Sequence, residues 1–378
     1  MRFNNFWTYR RIIFSRGFAS AVWHSRKNVL ADEQNRPLTA GPYMAEFDIT
    51  YQCNCRCRMC QRWKDGRTNE LSLDEYQRLA GVLHKMGSHQ ISIAGGEPLL
   101  REDVFPIIKS FSDLGMSVNL CTNGLLLGKY ENDICNSGLT CVTVSLDGTS
   151  AETHDKMRGM PGSLEQIEEG IQRLLRHSRS SRPILRVRMT ISNQNSNEIG
   201  AFFKKWHPIV DDVLLQPVHH CNDAFYTGME EADLYLDPRV IADQIADTPL
   251  AKNGYMNRLV ESLKSCGAFP HHQCYAGVMM ARIDPWGNVY PCLEQHTRVG
   301  SIREKDFRSI WNSEVLSQER NRLANHRTCR CWYNNTAIIG HYGNLLKNSR
   351  IQMLWDLARQ NIGCHLPGVF SEKNLKKR

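Results

Sequence analysis

The chain reads as an α/β protein: a partial (β/α)6 TIM-like barrel on a parallel sheet, followed by a small C-terminal α+β extension. Three observations predict this. Between residues 43 and 218, apolar strand-like runs alternate with helix-like segments. Those helices are long enough to act as crossovers between parallel strands. Beyond residue 265 the texture changes to a short hairpin and two short helices. Six βα units suit an open barrel better than a closed eight-unit one, and in such barrels the site lies at the C-terminal ends of the strands.

The strands are expected at 43–50, 90–94, 116–122, 141–146, 184–191 and 212–218. The helix at 72–86 opens on the capping box Ser72-x-x-Glu75, sets Tyr76, Leu79, Ala80 and Leu83 on one face, and stops at Gly87. The next, 102–114, aligns Val104, Ile107, Ile108, Phe111 and Leu114 before Gly115. A third, 164–177, follows Ser163-x-x-Gln166 and buries Leu164, Ile167, Ile171, Leu174 and Leu175. Residues 237–265 read as a helical bridge. Val278 to Ile283 then forms a strand, Asp284-Pro285-Trp286-Gly287-Asn288 turns it, and Val289-Tyr290 returns. Helices near 305–312 and 314–325 complete the extension. The resulting division is an N-terminal arm (1–42), a barrel core (43–236), a bridge (237–273), an extension (274–335) and a tail (336–378).

Composition sets the setting. With 378 residues the chain can bury a real core, and 41% hydrophobic and 23% charged residues are ordinary for a globular protein. Its 14 cysteines are many, yet a chain of this size needs no disulfide staples. A secretory leader is not evident, so the thiols are expected to be reduced, some as ligands, in the cytoplasm.

The net charge of +8 is concentrated at the ends. Arg2, Arg10, Arg11, Arg16, Arg26, Lys27 and Arg36 face only Asp32 and Glu33 in the arm, which also carries Phe6, Trp7, Phe14, Phe18 and Trp23. Such a basic amphipathic arm suits a helix packed on the domain with solvated arginines, peripheral contact with an anionic membrane, or an organelle transit peptide. No run is long and apolar enough to span a bilayer, and no nucleic-acid partner is expected.

Chemistry enters with Cys53-x3-Cys57-x2-Cys60, directly after the first strand. Three thiolates on one loop can hold three irons of a [4Fe–4S] cluster and leave the fourth open, whereas an electron-transfer cluster takes four cysteines. Cys55 lies within the loop as a fourth thiol, so a zinc site stays open on this motif alone. Gly95-Gly96-Glu97-Pro98 follows the second strand, where two glycines allow close backbone approach.

Together these motifs resemble the radical S-adenosylmethionine (SAM) superfamily, whose hallmarks are Cys-x3-Cys-x2-Cys after the first strand and Gly-Gly-Glu-Pro after the second. The resemblance implies that Cys53, Cys57 and Cys60 are the cluster ligands, with SAM on the open iron. It implies that Gly95, Gly96, Glu97 and Pro98 form the turn meeting the methionyl amino group. Thr122-Asn123-Gly124 resembles the family's Thr-Asn-Gly turn, and Ser145-Leu146-Asp147-Gly148 its Ser-φ-Asp-Gly, which places Ser145 and Asp147 near the ribose. Arg158 and Arg188 are candidates for the methionyl carboxylate, because guanidinium pairs bidentately with carboxylates. Met59 departs from the family, which usually has an aromatic residue there.

Cys274, Cys292, Cys329 and Cys331 resemble the ligands of the family's twitch extension, a shortened SPASM domain. That implies a second, auxiliary [4Fe–4S] cluster. The Cys-x-Cys spacing departs from the usual Cys-x2-Cys, so Cys266 or Cys364 stands as an alternative fourth ligand, and zinc as an alternative metal. Cys121, Cys135, Cys141 and Cys221 read as buried thiols without a role, and His219-His220-Cys221 points toward the barrel mouth.

The expected function is reductive SAM cleavage to a 5′-deoxyadenosyl radical that takes hydrogen from a substrate. A radical SAM oxidoreductase of this kind would use an external donor such as flavodoxin or ferredoxin. A small-molecule substrate is favoured, since the segment before the first strand is too short for a winged-helix leader-binding domain. A chain end of Lys376-Lys377-Arg378 rather than Gly-Gly disfavours a molybdopterin-type relative. The alternatives are a SPASM-type peptide maturase and a non-catalytic iron–sulfur or zinc redox protein.

Overall fold

The computed structural model describes residues 17–218, 236–252, 254–264, 274–293, 296–325 and 346. The expected strands are all present: β1 (Met44–Thr50), β2 (Gln90–Gly95), β3 (Ser117–Thr122), β4 (Cys141–Ser145), β5 (Ile184–Ile191) and β6 (Asp212–Pro217). Each pairs in parallel with the next in the order β6-β5-β4-β3-β2-β1. β6 does not pair with β1, so hydrogen bonds leave the barrel open.

The chain begins its described part with α1 (Phe18–Glu33). Phe18, Ala21, Val22 and Val29 are buried, and Asn28 donates to the carbonyls of Ala40 and Gly41 at 3.0 and 3.1 Å. This part of the arm is a helix packed on the domain, with Lys27 and Trp23 outward. Residues 1–16 lie outside the described residues. Among the described residues no helix is long and apolar enough to cross a membrane.

The crossovers include α2 (Leu73–Lys85), α3 (Val104–Ser112), α4 (Glu131–Asn136), α5 (Ala151–Arg158), α6 (Ser163–Arg176) and α7 (Ile199–Trp206). The Ser72 capping box forms: Glu75 N–H donates to Ser72 Oγ at 3.3 Å and Ser72 N–H to Glu75 Oε2 at 2.8 Å. Outward-facing Phe47 of β1 meets Tyr76 of α2 and Phe111 of α3, which seals the sheet against its helices. The bridge carries α8 (Pro238–Ala246) and α9 (Gly254–Lys264).

The extension is joined to the barrel more closely than its sequence suggests. Its first strand, β7 (Met280–Ile283), pairs in parallel with β1 and continues the sheet. β8 (Asn288–Tyr290) and β9 (Gly300–Ser301) follow in antiparallel order, then α10 (Phe307–Trp311) and α11 (Glu314–Asn325). Asp284 shapes the hairpin by accepting from the N–H groups of Trp286 and Asn288 at 3.0 and 2.9 Å, while Gly287 takes φ 85°. The hairpin docks on the segment after the cysteine loop through Leu71 N–H to Pro285 O, 2.7 Å, and Trp286 Nε1 to Thr68 O, 2.9 Å.

Candidate active site

The cysteine loop leaves the C-terminal end of β1 and is tied down on three sides. Gly96 N–H donates to Thr50 O at 2.7 Å and Glu97 N–H to Gln52 O at 2.8 Å, which binds the loop's start to the turn after β2. Asn123, after β3, donates to Asn54 Oδ1 at 2.7 Å. Arg56 and Arg58 donate their N–H groups to the carbonyls of Arg158 and Met157, both at 3.0 Å, so the loop's middle lies along the end of α5. Gly159 caps that helix at φ 58°, and a Cβ there would stand 2.3 Å from Arg56 O.

The two glycines at 95 and 96 have a specific cause. A Cβ on Gly95 would stand 2.2 Å from Thr50 O, and one on Gly96 2.2 Å from Gln52 O. Their smallness therefore lets the turn close on the cysteine loop itself, and the same closeness leaves both residues on the cavity wall.

One cavity at the C-terminal ends of the strands gathers most of the expected residues: Cys53, Cys57, Cys60, Gly95, Gly96, Thr122, Asn123, Ser145, Arg158 and Arg188. Three expected residues are absent from its wall. Pro98 starts a short 3-10 turn and is buried. The Glu97 carboxylate is wholly buried behind the turn, accepting from Leu99 N–H (3.0 Å), Thr122 Oγ1 (2.8 Å) and Asn123 N–H (2.7 Å). It fastens the ends of β2 and β3 together. Asp147 is also wholly buried; it accepts from Thr190 N–H at 2.9 Å and pairs with Arg158 Nε at 2.8 Å. The two residues expected to meet SAM separately are thus partners, and Arg158 extends from Asp147 to the Cys57 sulfur at 3.8 Å.

The donor set fits an iron–sulfur cluster. Two sulfurs of the expected triad receive a donor: Cys55 N–H for Cys53 at 3.4 Å and Arg158 Nη1 for Cys57 at 3.8 Å. Soft thiolates tuned by such hydrogen bonds are the ligands these clusters take. Cys55 differs. Its buried thiol is hydrogen-bonded to Cys53 and Cys57, which raises its own pKa and lowers theirs, that of Cys57 to about 6. Burial pushes Cys60 up to about 11.

Sequence reasoning passes over Glu46, Asp48 and Arg62, although Glu46 and Asp48, charges at alternate positions of an apolar strand, are a visible signal. Glu46 lines the cavity from β1, and burial followed by repulsion from Asp48 raises its pKa to about 7. Gln216 and Thr190 line the same wall.

In the extension, Gly277 N–H donates to Pro291 O at 2.8 Å, bringing the segments after Cys274 and before Cys292 side by side. Cys292 is buried and Cys274 half-buried. Cys329 and Cys331, the alternatives Cys266 and Cys364, and the His219-His220-Cys221 run lie outside the described residues.

Comparison with known proteins agrees with both regions. The radical SAM superfamily model matches residues 47–205, and the model of SPASM, an iron–sulfur cluster-binding domain, matches 274–332. The AdoMet-dependent heme synthase of Methanosarcina barkeri is 29% identical over 308 residues, covering 75% of this chain and 86% of that protein. A probable GTP 3′,8-cyclase of Methanococcus vannielii is 31% identical over 195 residues, 49% of this chain and 64% of that protein. Streptococcus suis SuiB, solved with S-adenosylmethionine bound, superposes with a TM-score of 0.60 at 17% identity, covering 86% of this chain and 78% of SuiB. That likeness concerns the fold. The chain belongs to the radical SAM superfamily, as an enzyme that takes SAM and a [4Fe–4S] cluster and carries a SPASM domain for an auxiliary cluster.

Proposed function

We propose that the cavity holds SAM on a cluster ligated by Cys53, Cys57 and Cys60, and that a small molecule is the hydrogen donor. The convergence of those three cysteines with Gly95, Gly96 and Asn123 on one cavity carries this reading. When bound, the cluster and SAM supply one-electron cleavage of the sulfonium to a 5′-deoxyadenosyl radical. The chain's own residues orient and seal. Gly95 and Gly96 present backbone carbonyls to the methionyl amino group. Arg188, with Ser145 beside it, faces the carboxylate and ribose side. Arg158, neutralised by Asp147, holds the loop rather than the substrate. Met59 and Val218, packed together at the mouth, exclude water.

Further in, the wall is polar: Glu46, Thr190, Arg188 and Gln216. Such a wall recognises a substrate through hydrogen bonds and charge, which supports a small polar molecule. A peptide is the second reading, favoured by the fold's likeness to SuiB, a protein solved with its precursor peptide SuiA. Cys274, Cys292, Cys329 and Cys331 would ligate the auxiliary cluster, which would supply a one-electron acceptor for the substrate; the enzyme would then be an oxidoreductase, with flavodoxin or ferredoxin as the external donor to the SAM-binding cluster. The division of the chain into a core at 43–236 and an extension at 274–335 follows the same reading.

Anaerobic, iron-loaded protein given SAM and dithionite should release 5′-deoxyadenosine and methionine, and Cys57→Ala should release neither. Equal turnover by that variant would sink the assignment. Comparing metabolites and peptides of a deletion strain and its parent decides the substrate: an accumulating small polar compound supports this proposal, an unmodified peptide the second.

A further inference from the structure

Barrel, cysteine loop and extension meet at Asp48, whose side chain is wholly buried on β1. Its Oδ2 accepts from Arg282 Nε at 2.8 Å, and its Oδ1 lies 3.0 Å from Arg62 Nη1. That same Nη1 donates to the carbonyl oxygen of Gly95 at 3.2 Å, and Arg62 stands two residues after Cys60 in the chain. On the other side, Arg282 Nη2 donates to the Tyr51 hydroxyl at 2.6 Å, which donates to Asp48 at 3.4 Å. The Tyr51 ring meets Trp286, at the hairpin tip, edge-on with centroids 5.2 Å apart. An unbroken chain of contacts therefore runs from the extension's hairpin to the Gly95 turn on the cavity wall.

We infer that Arg62, Asp48 and Arg282 form a positioning relay by which the C-terminal extension sets the SAM site. Arg282 comes from β7, Asp48 from β1 and Arg62 from the loop that follows the cysteines. Arg282 fixes the rotamer of Asp48, Asp48 fixes the guanidinium of Arg62, and Arg62 aims the Gly95 carbonyl into the cavity. A planar guanidinium holds direction as well as charge, so a displaced Asp48 would misdirect Arg62 without removing its charge. Arg62 lines the cavity itself, whereas Asp48 and Arg282 lie behind its wall and act only through Arg62. The relay rests on the reading that the Gly95 carbonyl meets the amino group of SAM, and it adds that the extension is required for SAM binding apart from any electron it carries.

The test is a double-mutant cycle in SAM affinity, measured by equilibrium dialysis on the anaerobic, iron-loaded full chain. Arg62→Gln and Arg282→Gln should each weaken SAM binding roughly tenfold, the scale of one hydrogen bond to a charged group. The double variant should be no weaker than Arg62→Gln alone. Additive losses would overturn the relay. If Arg62→Gln binds SAM like wild type, the Gly95 reading fails; if only Arg282→Gln does, the relay alone fails. Tyr51→Phe, which removes one hydroxyl, serves where Arg282→Gln loses its iron. It should weaken binding severalfold and should have no additional effect in an Arg62→Gln background. An unchanged affinity in Tyr51→Phe, or a further loss in that background, would also overturn the relay.

Discussion

Two wholly buried aspartates flank the cavity, and each holds an arginine that reaches the cysteine loop. Asp147 holds Arg158 on the β4–α5 side, from within one βα unit. Asp48 holds Arg62 on the other side, but it also holds Arg282, which stands 234 residues away on a strand of the extension. The first flank is a local brace for the loop. The second is a junction between two parts of the chain, with two cations on one carboxylate and a second carboxylate, Glu46, close by. The difference separates roles: the β4–α5 side fixes where Cys57 sits, and the β1–β7 side makes the cavity sensitive to the extension.

The sharpest way to break this comparison is to remove each carboxylate. Asp48→Ala takes from the buried Arg282 and the half-buried Arg62 the one carboxylate they share and should cost about 3–5 kcal/mol, read as unfolding of the anaerobic holoprotein. Hydrogen exchange should rise in β7 and β8 together with the cysteine loop. Asp147→Asn keeps an acceptor for Thr190 N–H but loses the charge facing Arg158, and about 2 kcal/mol is expected. Its exchange should rise at α5 and the loop and leave β7 unchanged. The same exchange pattern in both variants would erase the distinction.

A pH series sharpens the β1 side. Glu46 titrates at about 7 in the folded chain against an ordinary 4.5, so between those values the folded state holds a proton that the unfolded chain has released. Stability contributed by this group is therefore full below pH 4.5 and falls as pH rises through 7. Glu46→Gln should remove that fall, making the loss of stability between about pH 6 and about pH 8 smaller by about 1 kcal/mol. An unchanged slope would place the proton elsewhere. The smallest effect belongs to the surface of the junction. Arg303 pairs with Glu75 at 2.8 Å, with its side chain 30% exposed, and also donates to Asn69 O and Glu70 O. Arg303→Ala should cost about 1 kcal/mol or less by thermal unfolding and leave SAM affinity unchanged.

The two flanks also differ in how far they could be read from residues alone. Cys53, Cys57, Cys60 and Gly95-Gly96 were legible because their spacing is local and strand ends fix where they project. Asp147 and Arg158 were both singled out, but the reading gave each a ligand, because their mutual pairing depends on how α5 folds back on β4. Glu97 was assigned to the cavity for the same reason; only the meeting of the β2 and β3 ends shows its carboxylate consumed by three donors. Asp48, Arg62 and Arg282 went unread. Their contact follows from the pairing of β7 with β1, which no local pattern announces. The Asp284–Asn288 turn was visible as a hairpin, since its Asp and Gly make the turn themselves, whereas the surface on which it docks was not.

The central claim is a cluster held by three cysteines with an iron left for SAM. Mössbauer spectra of iron-57-loaded protein, recorded with and without SAM, test it most directly. The account predicts that one iron site changes when SAM is added, and that the Cys53/Cys57/Cys60 triple alanine variant keeps only the auxiliary cluster's signal, unresponsive to SAM. A wild-type spectrum that SAM leaves unaltered would contradict it.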